Sequence, residues 1–273
     1  MESRKDLNVF QTCRVFFDEF LKSDFIVQED GSTFLVTPTG ARCNKLFGVG
    51  EVEEVEARGN IVRLKLNDLT ATLSLYASRR ILGDDITAHT ERKRTFIAFR
   101  GNVHVRESAG TRPKVMLLAE EVGTVEERVR NGWILNTARR TMERIEALRI
   151  SPSALPNKEA NEFSGRGGGK ELQEHYALDD DTLDAFASMA INAVTRMWLQ
   201  YHTRAKELVV GLLKKAGKSG VARERLVSAL KTQGFKTEWV EELIEELIVE
   251  EICYEPKTGV LKLVTSSENP VLT

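Results

Sequence analysis

NIVRLKLND at residues 60–68 and TATLSLYAS at residues 70–78 alternate apolar and polar side chains almost one for one. In an extended chain, residues two apart share a face. Val62, Leu64 and Leu66 on the first run, and Leu73 and Leu75 on the second, therefore face a core. Arg63 and Lys65, with Thr72, Ser74 and Tyr76, face outward. The two runs read as neighbouring strands, and Arg79 and Arg80 follow at the end of the second.

The same period extends in both directions. FLVT (34–37) leads into a Pro38-Thr39-Gly40 turn and LFGVGEVEEVEA (46–57), and RTFIAFRGNVHVRE (94–107) and KVMLLAEEVGTV (114–125) come after. Several strands joined by short turns predict a small barrel or sandwich. In the 94–107 run Ile97, Phe99, Val103 and Val105 point inward and Arg100, Asn102, His104 and Arg106 outward. Arg92, Lys93 and Arg94 add a cationic connection just before it.

A single strand of nucleic acid demands this mixture: positive charge along the phosphates and planar groups on which bases stack, at about 1–3 kcal/mol each. Tyr76 is the stacking candidate, and a cationic loop at 92–94 can close over phosphates. The competing reading is that basic residues on exposed strand faces serve only to keep a barrel soluble. The pattern repeats over three strands, which favours binding. The net charge of −2 hides an asymmetry in the same direction. Residues 31–150 hold 20 Lys and Arg against 15 Asp and Glu, whereas residues 1–30 (4 against 7) and 151–273 (15 against 19) are acidic.

The flanks read as helical. In residues 1–30, Val9-Phe10, Phe16-Phe17, Phe20-Leu21 and Phe25 have amphipathic spacing, a helix over 9–27 that covers the barrel. After the last strand, Ile134, Ala138, Thr141, Ile145 and Leu148 recur in alternating steps of four and three, a narrow seam. Either this helix caps the barrel, or it bundles with similar helices of partner subunits. Arg139, Arg140, Arg144 and Arg149 are its solvated flanks in either case. The expected barrel domain is 31–150.

SPSALPNKEANEFSGRGGGK (151–170) concentrates Pro, Ser and Gly without an apolar period and marks a flexible linker, placed over 151–178. Its glycine run lacks the Gly-Lys-Ser/Thr ending of a phosphate loop and no strand precedes it. An amphipathic helix at 179–202 leads to a domain at 203–265. There, one helix carrying Leu208, Val209, Leu212 and Leu213 stops at Gly217 and a second stops at Gly234. A third runs from Thr237, and ICYEPKTGVLKLV (252–264) forms a hairpin. That order is the order of a winged helix. Its third helix carries Glu238, Glu241, Glu242, Glu245 and Glu246, followed by Glu250 and Glu251, so it is expected to bind proteins rather than duplex DNA.

No nucleophile motif, paired metal-binding carboxylates or metal-ligand spacing is recognisable, so no catalytic residue, metal or cofactor is expected. Cys13, Cys43 and Cys253 are widely scattered and read as reduced packing residues. No apolar run nears the ~20 residues that span a bilayer, so a soluble, intracellular protein is expected.

TPTGARCNKLFGVGEVEEVE (37–56) resembles the start of the barrel in archaeal proteins associated with replication protein A. NIVRLKLNDLTATLSLYASR (60–79), with its Asp68-Leu69-Thr70-Ala71 turn, is similar to the second and third strands of the middle subunit of replication protein A. The linker and last domain recur in the same order. The resemblance implies a β-barrel OB fold with flanking helices, joined by a flexible linker to a mostly α winged-helix domain. It implies single-stranded DNA binding, a helix after the barrel that joins other subunits of a heterotrimer, and a winged helix that recruits replication or repair proteins, with a nucleoid-associated place in the cytoplasm. Carried over by strand, it points to Arg63, Lys65, Arg79, Arg100, His104 and Arg106 as DNA contacts. Arg79 stands where the family has an aromatic residue, and the phosphorylatable tail of the eukaryotic subunit is missing. Two further classes remain: an architectural subunit with little DNA contact, and a winged-helix transcription regulator.

Overall fold

The computed structural model describes residues 12–29, 31–82, 94–108, 111–150 and 168–264. It forms two compact units, residues 1–196 and 197–273.

In the first unit, β4 (Lys45–Arg58), β5 (Ile61–Asn67), β6 (Thr72–Ser78), β7 (Phe96–Ser108) and β8 (Thr111–Val125) close into a barrel of order β4-β5-β6-β8-β7. This five-stranded connectivity fits an OB fold. β4 is long enough to serve two neighbours: its first half pairs with β7 and its second with β5. Closure comes from the parallel pairing of β6 with β8, at Leu75↔Leu117 and Tyr76↔Leu118. Val62, Leu64, Leu66, Leu73, Leu75, Ile97 and Phe99 are buried, as alternation requires. Val103 and Val105 are only half-buried. They lie on the β7–β8 arm opposite Leu117 and Val115, at and beyond the point where β6 stops pairing with β8.

The Phe-rich segment is not the expected 9–27 helix. Only α1 (Phe17–Leu21) is helical among its described residues. Cys13 lies extended against the start of β4, with backbone bonds to Lys45 (2.8 Å) and Phe47 (2.9 Å). β1 (Phe25–Glu29), β2 (Ser32–Val36) and β3 (Arg42–Cys43) form a separate antiparallel sheet. FLVT therefore lies outside the barrel. Aromatic and β-branched residues such as Val15, Phe16 and Phe25-Ile26-Val27 suit extended chain, which outweighs the helical spacing. Phe16, Phe17 and Phe20 nevertheless cover the barrel as expected: all three are buried, with Phe17 5.9 Å from Trp133 and 6.0 Å from Phe99. Gly48 and Gly50 of β4 make the space. A Cβ at Gly48 would stand 2.5 Å from the Phe99 ring and 2.9 Å from the Phe17 ring. Cys13 and Cys43 are joined in a disulfide, contrary to the expectation of reduced cysteines, because the extended segment lies alongside β4 and β3. Cys253 is a buried free thiol.

α2 (Glu127–Ile150) carries the seam, and Ile134, Ala138, Thr141, Ile145 and Leu148 are all buried within this chain. Buried within the chain, they offer no face to partner subunits, and later elements fold back over two of them, Ile145 and Leu148. Leu172 of α3 (Gly168–Tyr176) and Leu183 and Phe186 of α4 (Asp180–Ala216) pack with Ile145, Leu148 and Val36. Residues 168–176, expected as linker, are thus a packed helix. The Tyr176 hydroxyl donates to the Val36 carbonyl (2.7 Å) and accepts from the Asp24 and Phe25 amides. Burial pushes its pKa up to about 12. The rest of the expected linker, 151–167, lies outside the described residues.

Arg144, expected in solvent, is buried against the fully buried Glu19 of α1 (3.1 Å). The Thr37 and Thr39 hydroxyls donate to the same carboxylate, and Arg144 donates also to Thr39 and Thr141. A second buried carboxylate, Asp68, occupies the β5–β6 turn. It accepts from the amide of Phe17 at the start of α1 (2.7 Å), from the Thr70 amide and hydroxyl, and from the Ala71 amide.

In the second unit, the C-terminal part of α4 is followed by β9 (Val221–Ala222), α5 (Arg223–Thr232), α6 (Thr237–Val249) and the hairpin β10 (Cys253–Lys257) and β11 (Val260–Leu263). The sheet order is β10-β11-β9. Leu213, Leu226, Leu230, Val240, Ile244 and Leu261 lie in its core. The helices expected on either side of residue 202 are one continuous element, since no Gly or Pro interrupts Tyr201-His202-Thr203. That helix ends before Gly217, whose φ of 54° suits glycine.

Arg144→Met should cost about 3–5 kcal/mol, because it strands the Glu19 carboxylate without a cation, while Glu19→Gln/Arg144→Met should cost less than the two single changes together. Urea denaturation of the full chain measures both. For Asp68, burial raises the pKa from 3.8 to about 6 against the opposing pull of its four donors. The folded state holds this proton more tightly than the unfolded state, so the contribution is fully present below pH 3.8 and is lost as pH rises through about 6. Wild-type stability relative to the non-titrating Asp68→Asn should therefore fall by about 2 kcal/mol between ~pH 4 and ~pH 6.5.

Candidate nucleic-acid interface

β4 carries a β-bulge where its register with β5 shifts between Val52 and Glu54. An extra residue resets alternation, so Glu51, Glu54, Glu56 and Arg58 share the outer side with the bulge residue Glu53. The register then places Glu54 opposite Lys65 and Glu56 opposite Arg63. Both pairs form ion pairs: Lys65 with Glu54, and Arg63 with Glu56 at 3.3 Å. The hydrogen-bonded Lys65 ammonium holds the Glu54 carboxyl below its usual range. Glu53 accepts instead from neutral donors, Asn67 (2.9 Å) and Thr72 (2.7 Å).

The next rung outward is β6. Ser74 accepts from the Arg63 guanidinium (3.1 Å), and Tyr76 stands in register with Arg63. Tyr76 borders two depressions. One, of about 150 Å³, is lined by Glu56, Arg58, Ile61 and Arg63, with Ile61 57% exposed. The other, of about 340 Å³, runs toward Leu21, Thr72, Ser74, Arg112 and Met116.

At the end of β6, Arg79 and Arg80 are exposed on one helical turn at 79–82. The Arg79 amide donates to the Asn60 carbonyl (3.1 Å), which ties this turn to the β4–β5 tip that carries Arg58. Among the described residues, Arg58, Arg79 and Arg80 carry no ion pair. A second unpaired group lies on the β7–β8 arm, where Arg106 stands opposite Lys114 and His104 opposite Met116.

The remaining expected residues are placed elsewhere. In the barrel order β7 touches β4 and β8 but neither β5 nor β6, so Arg100 and Asn102 do not share rungs with Arg63, Lys65 and Tyr76. Arg100 sits between Glu120 (3.2 Å) and Glu121 (2.9 Å), and Asn102 donates to Glu120 (2.9 Å). Lys45 also pairs with Glu120 at 2.7 Å and, as its main partner, holds that carboxyl below its usual range. Arg94 grips Glu51 through two bonds, 2.8 and 2.6 Å. Arg92 and Lys93 lie outside the described residues. The outward cations read over three strands thus leave two separate unpaired groups among the described residues, with Glu51, Glu54, Glu56, Glu120 and Glu121 occupying the others.

Sequence reasoning missed Arg58, Lys114 and the glutamates as parts of this surface. The signal was present in LFGVGEVEEVEA, where two adjacent polar residues, Glu53-Glu54, break the alternation that a regular strand would keep. Among the described residues no group of His, Cys, Asp or Glu is arranged to hold a metal ion, and no helix is long and apolar enough to cross a membrane.

No family model and no curated protein matches the chain. Among solved structures, it is similar to a chain of a replication protein A heterotrimer bound to single-stranded DNA, at 12% identity and TM-score 0.37, covering 49% of this chain and 98% of that one. It is similar also to the S. pombe Stn1–Ten1 complex, at 12% identity and TM-score 0.36, covering 48% and 92%. A third likeness is to Rim1, a mitochondrial single-stranded DNA-binding protein of S. cerevisiae, at 12% identity and TM-score 0.26, covering 30% and 94%. All three are likenesses of fold.

Proposed function

We propose that the barrel binds single-stranded DNA across β5 and β6, as a subunit of a replication protein A-type complex. The observation that carries this reading is Tyr76: an outward aromatic ring in register with Arg63, at the end of the barrel where Arg58, Arg79 and Arg80 carry unneutralised charge. Bases stack on the ring, and phosphates meet the free guanidinium groups on one side and Arg63 and Lys65 along the strand. His104, Arg106 and Lys114 on the β7–β8 arm supply the second cationic contact, at the loop position that OB barrels use for oligonucleotides.

The second unit we read as a winged helix that recruits replication or repair proteins. The order of its helices, short strand and hairpin supports this, as does the acidity of α6. Arg223 pairs with Glu241, Glu245 and Glu255, and Lys206 with Glu250, so these two cations beside that helix are already engaged rather than offered to a duplex.

A second reading, an architectural barrel with little DNA contact, is favoured by one fact: Arg63, Lys65, Arg94 and Arg100 all hold carboxylates. Fluorescence anisotropy of the full chain with oligo-dT separates the two. Tyr76→Ala should weaken binding by about 1–3 kcal/mol, and Arg79→Ala/Arg80→Ala should flatten the slope of log affinity against log salt by about 0.7 for each phosphate no longer neutralised. Absence of oligo-dT binding at ~50 mM salt, where phosphate contacts are strong, would leave the architectural reading in its place.

A further inference from the structure

The cross-strand glutamates of β4 do not follow from a DNA-binding barrel. A face built only to hold a polyanion would leave its cations open or give them neutral acceptors. Here the register sets a carboxylate directly against each cation of β5: Glu56 against Arg63, and Glu54 against Lys65. The bulge in β4 is what brings them there, because without the extra residue alternation would turn positions 54 and 56 toward the core. All four side chains are partly exposed, between 32% and 44%, so water and an incoming phosphate reach them.

We propose that Glu54 and Glu56 are built-in competitors of the DNA backbone, which hold Lys65 and Arg63 until phosphates displace them and thereby set the affinity and salt dependence of the barrel. This rests on the single-strand reading above and deepens it. Binding is an exchange: a guanidinium or ammonium leaves a carboxylate for a phosphate oxygen, and the carboxylate returns to water beside a like charge. Each exchange subtracts the strength of an exposed ion pair from the phosphate contact and opposes the phosphate with a nearby negative charge. The unpaired Arg58, Arg79 and Arg80 have no such competitor, so they make the first contact and the β5 cations follow. A polyanion that cannot also stack on Tyr76 gains too little to displace the carboxylates, so the competitors disfavour binding by charge alone.

The test uses the full chain and oligo-dT. Glu54→Gln/Glu56→Gln keeps side-chain shape and a neutral acceptor for each cation while removing the competing charge. The expected result is a gain in oligo-dT affinity of about 3- to 30-fold at ~50 mM salt, with a salt slope steeper by about 0.7 for each cation released. Glu53→Gln removes the same charge from the same strand, but among the described residues Glu53 bonds only Asn67 and Thr72, so it should change affinity less than about 2-fold, within the span of a weak surface interaction. Adding Arg63→Ala/Lys65→Ala to the double glutamine variant should abolish the gain. Cooperative urea unfolding checks that each variant is folded, and the single changes Glu54→Gln and Glu56→Gln carry the test if the double change does not fold.

If wild type binds oligo-dT but the glutamine variants bind no better, the competition is refuted and the single-strand reading stands. An equal gain from Glu53→Gln reduces the effect to net charge and refutes it as well. If neither wild type nor any glutamine variant binds at ~50 mM salt, the single-strand reading fails and takes this inference with it.

Discussion

The first unit depends on filling a barrel whose own strands cannot fill it. β4 contributes glycine at two positions where a side chain would be expected inside, Gly48 and Gly50, and the missing volume is shared by Phe99 and Leu66 of the barrel and Phe17 from outside it. Interiors pack at crystal-like density, so neither half of this arrangement is stable alone. A bare barrel would hold a cavity the size of an aromatic ring, and the detached segment would expose Phe16, Phe17 and Phe20. Two buried carboxylates then fix the plug in direction. Asp68 takes the first amide of α1, and Glu19 on the same helix takes Arg144 of α2. The plug is thereby tied at once to the β5–β6 turn and to the helix that covers the barrel.

The seam read on α2 is not free, whereas Leu135 and Met142 of the same helix are exposed. A residue pattern with steps of three and four reports that one face is buried, not what buries it. In this chain α3 and α4 return over the C-terminal end of α2 and meet Ile145 and Leu148 with Leu172, Leu183 and Phe186, so this part of the stripe closes a core within one chain. Arg144 shows the matching ambiguity for polar residues. An arginine on the flank of a stripe reads as solvated, and only the buried Glu19, 125 residues earlier in sequence, makes its burial tolerable.

The barrel itself was legible because each strand signals its own period locally: Val62, Leu64, Leu66, Leu73 and Leu75 are buried where alternation put them. What was not legible depends on which strands become neighbours. Arg63 and Arg100 have similar surroundings in sequence, yet in the closed barrel β4 stands between their strands on one side and β6 and β8 on the other, and no local pattern contains that fact. The carboxylate partners were hidden for the same reason, since Glu56 meets Arg63 only through a register that the bulge at Glu53-Glu54 creates. The Phe-rich segment failed differently: five helical residues and a strand share one aromatic-rich stretch, and spacing alone favoured a single helix.

The same cross-strand pairs have two consequences that pull in opposite directions. In the free protein, like charges along β5 would repel one another, and the opposed glutamates remove that cost while holding long side chains near the strand surface. In the proposed complex, those glutamates would stand beside the phosphates that approach Arg63 and Lys65. A face with all cations free would bind any polyanion and would depend on salt in proportion to every phosphate it neutralises. A face with its central cations paired and its ends unpaired concentrates the purely electrostatic attraction at the β4–β5 tip and the β7–β8 arm. On the proposed reading the centre must then gain from interactions other than charge, and Tyr76, in register with Arg63, is the group proposed to supply them. The bulge in β4 thus links fold to the proposed selectivity: one extra residue in one strand determines whether the barrel's middle rungs meet carboxylates or water.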